Sequence, residues 1–236
     1  MVDIHRRTGL ERPTVHRMLQ GLVAEGLIRQ NEETKRYYLG QLLYEMGLAA
    51  APKLALRDIC YPYLQTIAEQ TGDTVFMIVR SGFDGVCIAR ADGSFPIKAF
   101  VLDVGRHRPL NVGSGGIAIM SALSDDEISR ICRVNLERTQ RNNPLYEEEA
   151  LYSAIAATRR LGYSANKVME SPSVSSVGIL IRYPDASPAG SLSVSTLSSR
   201  LSKARLPKVV ANLRDSVALI ESELAATTDR RVKPIL

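Results

Sequence analysis

A chain of 236 residues, 45% hydrophobic and 23% charged, has the composition of a folded globular protein and excludes a disordered or collagen-like one. No run approaches the roughly 18 to 20 apolar residues that cross a bilayer, and the opening MVDIHRRTG lacks the apolar core of a signal peptide, so a cytoplasmic location and no membrane partner are expected. The formal net charge of +5 permits nucleic-acid binding without demanding it.

From the N-terminus, residues 2–8 suit a short helix, Gly9 offers a turn position with positive φ, and 12–25 read as a longer helix with Pro13 in its tolerant first turn. Val15, Met18, Leu19, Leu22 and Val23 recur at three- and four-residue spacing and are expected on one buried face, with Thr14, His16, Arg17 and Gln20 outward. Gly26 closes that helix. Residues 27–30 and 36–39 then read as short strands around the polar turn 31–35. The order is helix, turn, helix, wing. Seven basic residues fall within the first forty, beside five acidic ones.

Residues 41–51 suit a linking helix that Pro52 would stop, and 54–69 a further amphipathic helix, which places a domain junction near Pro52. Beyond it, 74–80 and 86–91 are β-rich runs joined by a turn, a hairpin signal. Further strands are expected at 97–102, 164–170, 174–182 and 191–197, with helices at 114–123, 125–134 and 147–161, an α+β pattern. A last helix over 203–225 carries Leu206, Val209, Val210, Leu213, Val217, Ile220 and Leu224 on one face. Cys60, Cys87 and Cys132, like His5, His16 and His107, are scattered without ligand spacing, so no metal, cofactor or disulfide is implied.

The string RRTGLERPTVHRMLQGLVAEGLI (6–28), followed by the wing ETKRYYLG (33–40), closely resembles the DNA-binding domain of the IclR family of bacterial regulators. In such a domain the second helix enters the major groove and flanking cations hold phosphates. The resemblance implies Arg12, Thr14, His16, Arg17, Lys35 and Arg36 as DNA-binding residues and a double-stranded operator as partner. Members of the family begin with another helix, and Met1 falls at the start of the one that should come second. The natural start is therefore expected upstream, or this region is ordered against another subunit. Val15, Leu19, Leu22 and Leu27 would otherwise face water.

The resemblance continues in RPLNVGSGGIAIMSAL (108–123), with Asn111 for a usual histidine and Ile117 for a usual lysine, and in VGILIRYPDASPAGSLSVST (177–196). It implies a GAF-like second domain whose effector pocket involves Ser114, Gly115, Asn166, Ser176, Ser193 and Ser195. The residues agree in part: glycines 113, 115 and 116 precede a helix whose exposed N–H groups suit a carboxylate, and Ser193 and Ser195, two apart on a strand, share a face. A solvent-facing sheet side is the plainer reading of those serines.

Two enzyme readings fail. Residues 113–118 fit G-x-G-x-x-A, but without an evident βαβ unit, and Ser114 has Val112 where a nucleophile elbow needs glycine. The expected organisation is a winged helix-turn-helix over 1–40, a linker over 41–53, a GAF-like effector and oligomerisation domain over 54–228 and a tail over 229–236. The expected function is non-enzymatic, ligand-responsive transcription control by a dimer or tetramer, with a small organic or aromatic acid as effector. The competing reading is a stand-alone GAF-like small-molecule domain with signalling or enzymatic activity and a vestigial N-terminus.

Overall fold

The computed structural model describes residues 2–49, 55–97, 102–143, 146–168 and 171–230. The chain divides into two units, Met1–Ala55 and Leu56–Leu236. In the first, α1 (Val2–Thr8) turns at Gly9 (φ 68°) into α2 (Arg12–Ala24), which has proline in its first turn. Gly26 (φ 69°) ends α2, and Leu27 N–H donates to Leu22 O in the 6→1 pattern of a Schellman stop. Strands β1 (Ile28–Gln30) and β2 (Tyr37–Leu39) form the antiparallel wing, and α3 (Gln41–Ala49) follows. The wing turn is fixed by Asn31 Oδ1, which accepts from Thr34 N–H at 2.7 Å and Thr34 Oγ1 at 2.8 Å.

The expected apolar face of α2 is only partly buried. Val15 and Leu19 are covered, whereas Met18 is 54% exposed and Leu22 and Val23 are also exposed. Helical periodicity defines a stripe, but its width exceeds what the rest of this small unit covers.

The second unit is a six-stranded antiparallel sheet in the order β5-β4-β3-β8-β7-β6, built from β3 (Thr74–Ser81), β4 (Asp84–Asp92), β5 (His107–Pro109), β6 (Ser164–Val168), β7 (Ser171–Arg182) and β8 (Pro188–Leu197). Helices α4 (Ala55–Thr71) and α8 (Leu206–Arg230) cover one face. Helices α5 (Gly113–Met120), α6 (Asp125–Asn142) and α7 (Glu148–Leu161) cover the other. Strand alternation sorts the side chains: Val75 and Met77 join the α4/α8 core, and Phe76 and Ile78 the α5–α7 core. On β8, Leu192 and Val194 face the first core, which leaves Ser191, Ser193 and Ser195 facing the second.

The apolar face expected for α8 packs on the sheet, but the helix runs on to Arg230, into the region expected as tail; 231–236, like Pro52, lie outside the described residues. Helix α6 outlasts its expected end by two turns, because the polar run 135–142 continues as a helix whose Asn135 and Thr139 are buried and hydrogen-bonded to Phe83 O and Asn111. The expected strand at 97–102 falls largely on undescribed residues, and its described ends, Ile97 and Leu102, are not in a strand. Strand β5 was not expected: it is three residues long and ends in proline.

One buried carboxylate ties the end of α4 to the end of β8. Asp73 Oδ1 accepts from Thr196 Oγ1 at 2.7 Å and Arg200 Nε at 3.1 Å, and its Oδ2 from an Arg205 guanidinium nitrogen at 2.6 Å. The Arg205 guanidinium also donates to Thr71 O at 2.6 Å, and Arg200 lies over the Phe95 ring at 3.7 Å. Removing one partner of a buried ion pair strands the other charges. Asp73→Ala should therefore lower the stability of this unit by about 3 kcal/mol in urea unfolding followed by tyrosine fluorescence. A loss below about 1 kcal/mol would show that the two arginines are satisfied by carbonyls and water, as surface pairs are.

Candidate nucleic-acid surface and effector cleft

On the N-terminal unit, Arg12, His16 and Arg17 are exposed along α2, and Lys35 and Arg36 are exposed at the tip of the wing. None of the four cations in that set makes an ion pair among the described residues. Thr14 is half-buried, so it is less outward than its helical position suggested. Lys35 takes a left-handed backbone (φ 54°), a strained conformation for lysine that Arg36 O and Asn31 O help to hold by bracketing the turn with hydrogen bonds. Cations on a helix and on an adjoining hairpin tip match the geometry of a winged helix on a duplex.

In the second unit a cleft opens at the start of α5, with about 430 Å³ of empty space including its open mouth. Its floor is Phe76, Ile78, Ser176, Ser193 and Ser195 from the sheet, its side is residues 113–116, and Leu102 and Arg108 stand at the wall. The local sequence builds this for packing reasons. Gly113 turns the chain with φ 80°, a Cβ at Gly115 would lie 2.9 Å from the Ile78 side chain and 3.0 Å from Ser191 Oγ, and a Cβ at Gly116 would lie 2.0 Å from Leu110 O. Those demands account for the nucleotide-like glycine spacing.

Serines clamp the helix. Ser164 Oγ donates to Ser114 O at 2.7 Å and Ser191 Oγ to Gly115 O at 2.9 Å. Ser114 Oγ lies within hydrogen-bonding reach of Ser176 O and Ser176 Oγ, each at 2.7 Å, and of Asn166 Oδ1. Ser176 Oγ in turn donates to Asn166 Oδ1 at 3.1 Å. No side chain caps the N-terminus of α5, so its first amides remain available to an acceptor in the cleft.

The structure thus brings Ser114, Gly115, Ser176, Ser193 and Ser195 around one cleft, while Asn166 stands behind Ser114 and Ser176 as their acceptor without lining the opening. Sequence reading missed Arg108, although it heads the stretch that was singled out, and missed Ser164 and Ser191, whose bonds depend on strand pairing. Both departures in that stretch are buried. Asn111 Nδ2 donates to Thr139 Oγ1 at 3.2 Å and to Tyr146 Oη at 3.1 Å, and burial pushes the Tyr146 phenol up to about 12. Ile117 fills the core among α5–α7.

Gly116→Ala should lower stability by about 2 kcal/mol or more, because backbone must move to admit the methyl group. Gly21→Ala in α2, where a Cβ meets nothing within 4 Å, should raise it by up to about 1 kcal/mol. Equal effects in thermal unfolding would refute the close approach of α5 to the Leu110 carbonyl.

The family model for the IclR C-terminal domain of bacterial transcriptional regulators matches residues 48–222, and that for the IclR helix-turn-helix domain matches residues 1–32. The chain is 29% identical over 217 residues to the HTH-type transcriptional regulator XynR of Escherichia coli K12, covering 92% of this chain and 84% of that protein. It is 22% identical over 208 residues to the transcriptional repressor IclR of the same organism, covering 87% and 76%. Among solved structures, an IclR-type regulator from Silicibacter sp. TM1040 superposes with a TM-score of 0.84 at 19% identity, covering 95% of this chain and 88% of that one. An IclR homolog from Microbacterium hydrocarbonoxydans, solved as a complex with 4-hydroxybenzoate, gives 0.77 at 20% identity, covering 95% and 90%.

Proposed function

Because the chain belongs to the IclR family of bacterial transcriptional regulators, we propose that α2 and the wing bind operator DNA and that a small carboxylate in the α5 cleft shifts that binding. The observation that carries the effector half is the meeting of an uncapped helix N-terminus, the Arg108 guanidinium and the serine-lined floor in one opening. Helix amides and arginine both favour an anion, and hydroxyls fix its orientation. The complex of the Microbacterium protein with 4-hydroxybenzoate is a precedent for an acid in this fold.

On the DNA side, Arg12, Thr14, His16 and Arg17 read or position the duplex from α2 and Lys35 and Arg36 hold phosphate from the wing. Two-fold operators call for a symmetric oligomer, a dimer or a tetramer of this chain. The effector acts by binding the DNA-competent and DNA-incompetent arrangements with different affinity.

Anisotropy of a labelled fragment from upstream of the protein's own gene tests both halves. Arg17→Ala should weaken binding by about tenfold and flatten its salt dependence, because a phosphate or base contact is lost. Ser193→Ala/Ser195→Ala should keep full DNA affinity and raise the carboxylate concentration needed for the response by about tenfold. Unchanged affinity of Arg17→Ala at two salt concentrations would contradict the first assignment, and an unchanged dose response the second.

A further inference from the structure

The sheet face under α5 is rich in hydroxyls, and most of them are engaged within the fold. Ser114, Ser164, Ser176 and Ser191 all have partners there. Three hydroxyls differ. The hydroxyls of Ser193 and Ser195 border the cleft and make no hydrogen bond among the described residues. The third is Thr74, 1% exposed, whose Oγ1 is the single buried side-chain N or O atom without a partner among the described residues.

Strand register places these groups together. Thr74 pairs with Ser195, Ser195 with Ser176, and Ser176 with Asn166, so one rung crosses four strands as threonine, serine, serine, asparagine. Directly opposed residues in an antiparallel pair hold their Cβ atoms about 5 Å apart on the same face. Alternation puts Thr74 on the face of Phe76, which lines the cleft, and away from Val75, which faces α4 and α8.

A buried hydroxyl with no partner is costly, and valine would fill the same volume on a strand without that cost. A group from outside the chain resolves the difference. We infer that Thr74 is a specificity-determining residue of the cleft: with Ser193 and Ser195 it receives a hydroxyl or carbonyl oxygen carried by the bound carboxylate. The ligand class is then an oxygen-bearing acid, its carboxylate at the start of α5 and Arg108 and its second oxygen at the Thr74–Ser195 end of the floor. Among the described residues no acidic side chain lines the cleft to favour a cation. The inference rests on the effector reading above.

Calorimetry on the full chain tests it with acids paired by one hydroxyl: glycerate and lactate, 3-hydroxybutyrate and butyrate, 4-hydroxybenzoate and benzoate. Wild type should bind one hydroxylated member at least about fivefold more tightly than its mate. Thr74→Val should erase that preference, leave the affinity for the mate unchanged, and unfold at an equal or higher temperature. Thr74→Ser, which returns the hydroxyl, should keep the preference, and Thr74→Ala serves in place of valine should valine disturb the fold. If the acids bind and the valine and alanine variants keep the preference, Thr74 is an internal orphan or is bridged by water, and the inference falls while the effector reading stands. If none of the acids binds wild type, the effector reading falls and takes the inference with it.

Discussion

The close docking of α5 on the serine-bearing sheet face is the constraint from which the second unit follows. Two glycines make it possible from opposite sides. A Cβ at Gly115 would lie 2.9 Å from the Ile78 side chain and 3.0 Å from Ser191 Oγ, and a Cβ at Gly178 would lie 2.8 Å from the Ser114 backbone. So near a sheet, the first carbonyls of α5, which already accept from amides one turn on in the helix, take their second donor from the hydroxyls of Ser164 and Ser191 and not from water. These serines of β6 and β8 are therefore first of all the means by which a helix is clamped to a sheet. The cleft is what remains where that contact opens toward Leu102 and Arg108, and it inherits an amide-rich, hydroxyl-rich lining from the same arrangement.

The opposite face of the sheet is held by different physics. Apolar side chains of α4 and α8 meet the inward residues of β3, β7 and β8, and the edge of that core is pinned by Asp73 with Arg200 and Arg205. Thr74 and Thr196 are next in sequence to residues engaged across the sheet: Asp73 bonds Thr196, while Thr74 pairs with Ser195 on the cleft side. One pair of strand ends thus carries the charged tie on one surface and the unsatisfied hydroxyl on the other.

Much of this was legible in the amino-acid sequence wherever a pattern repeats locally. The stripe from Val209 to Leu224 packs on the sheet as expected, and Ser193 and Ser195 share one face, which is buried against the α5 side and not turned to solvent. The helix-turn-helix was legible because proline, glycine and the turn residues sit at fixed offsets. What could not be read depends on pairing. Thr74 reaches the cleft rung only through its register with Ser195, and Asn166 meets Ser114 only because β6 pairs with β7. Strand β5 is too short to have a period. The exposure of Met18, Leu22 and Val23 marks the opposite limit, since periodicity names an apolar face without saying what covers it.

The central claim is that one cleft, at the start of α5, links a carboxylate to operator binding. Hydrogen–deuterium exchange of the full chain, followed through a titration with a carboxylate that binds while operator anisotropy is read in parallel, addresses it most directly. The amides of Ser114, Gly115 and Gly116 should slow their exchange, and operator affinity should shift with the same midpoint. An operator response that develops while these amides exchange unchanged would contradict it.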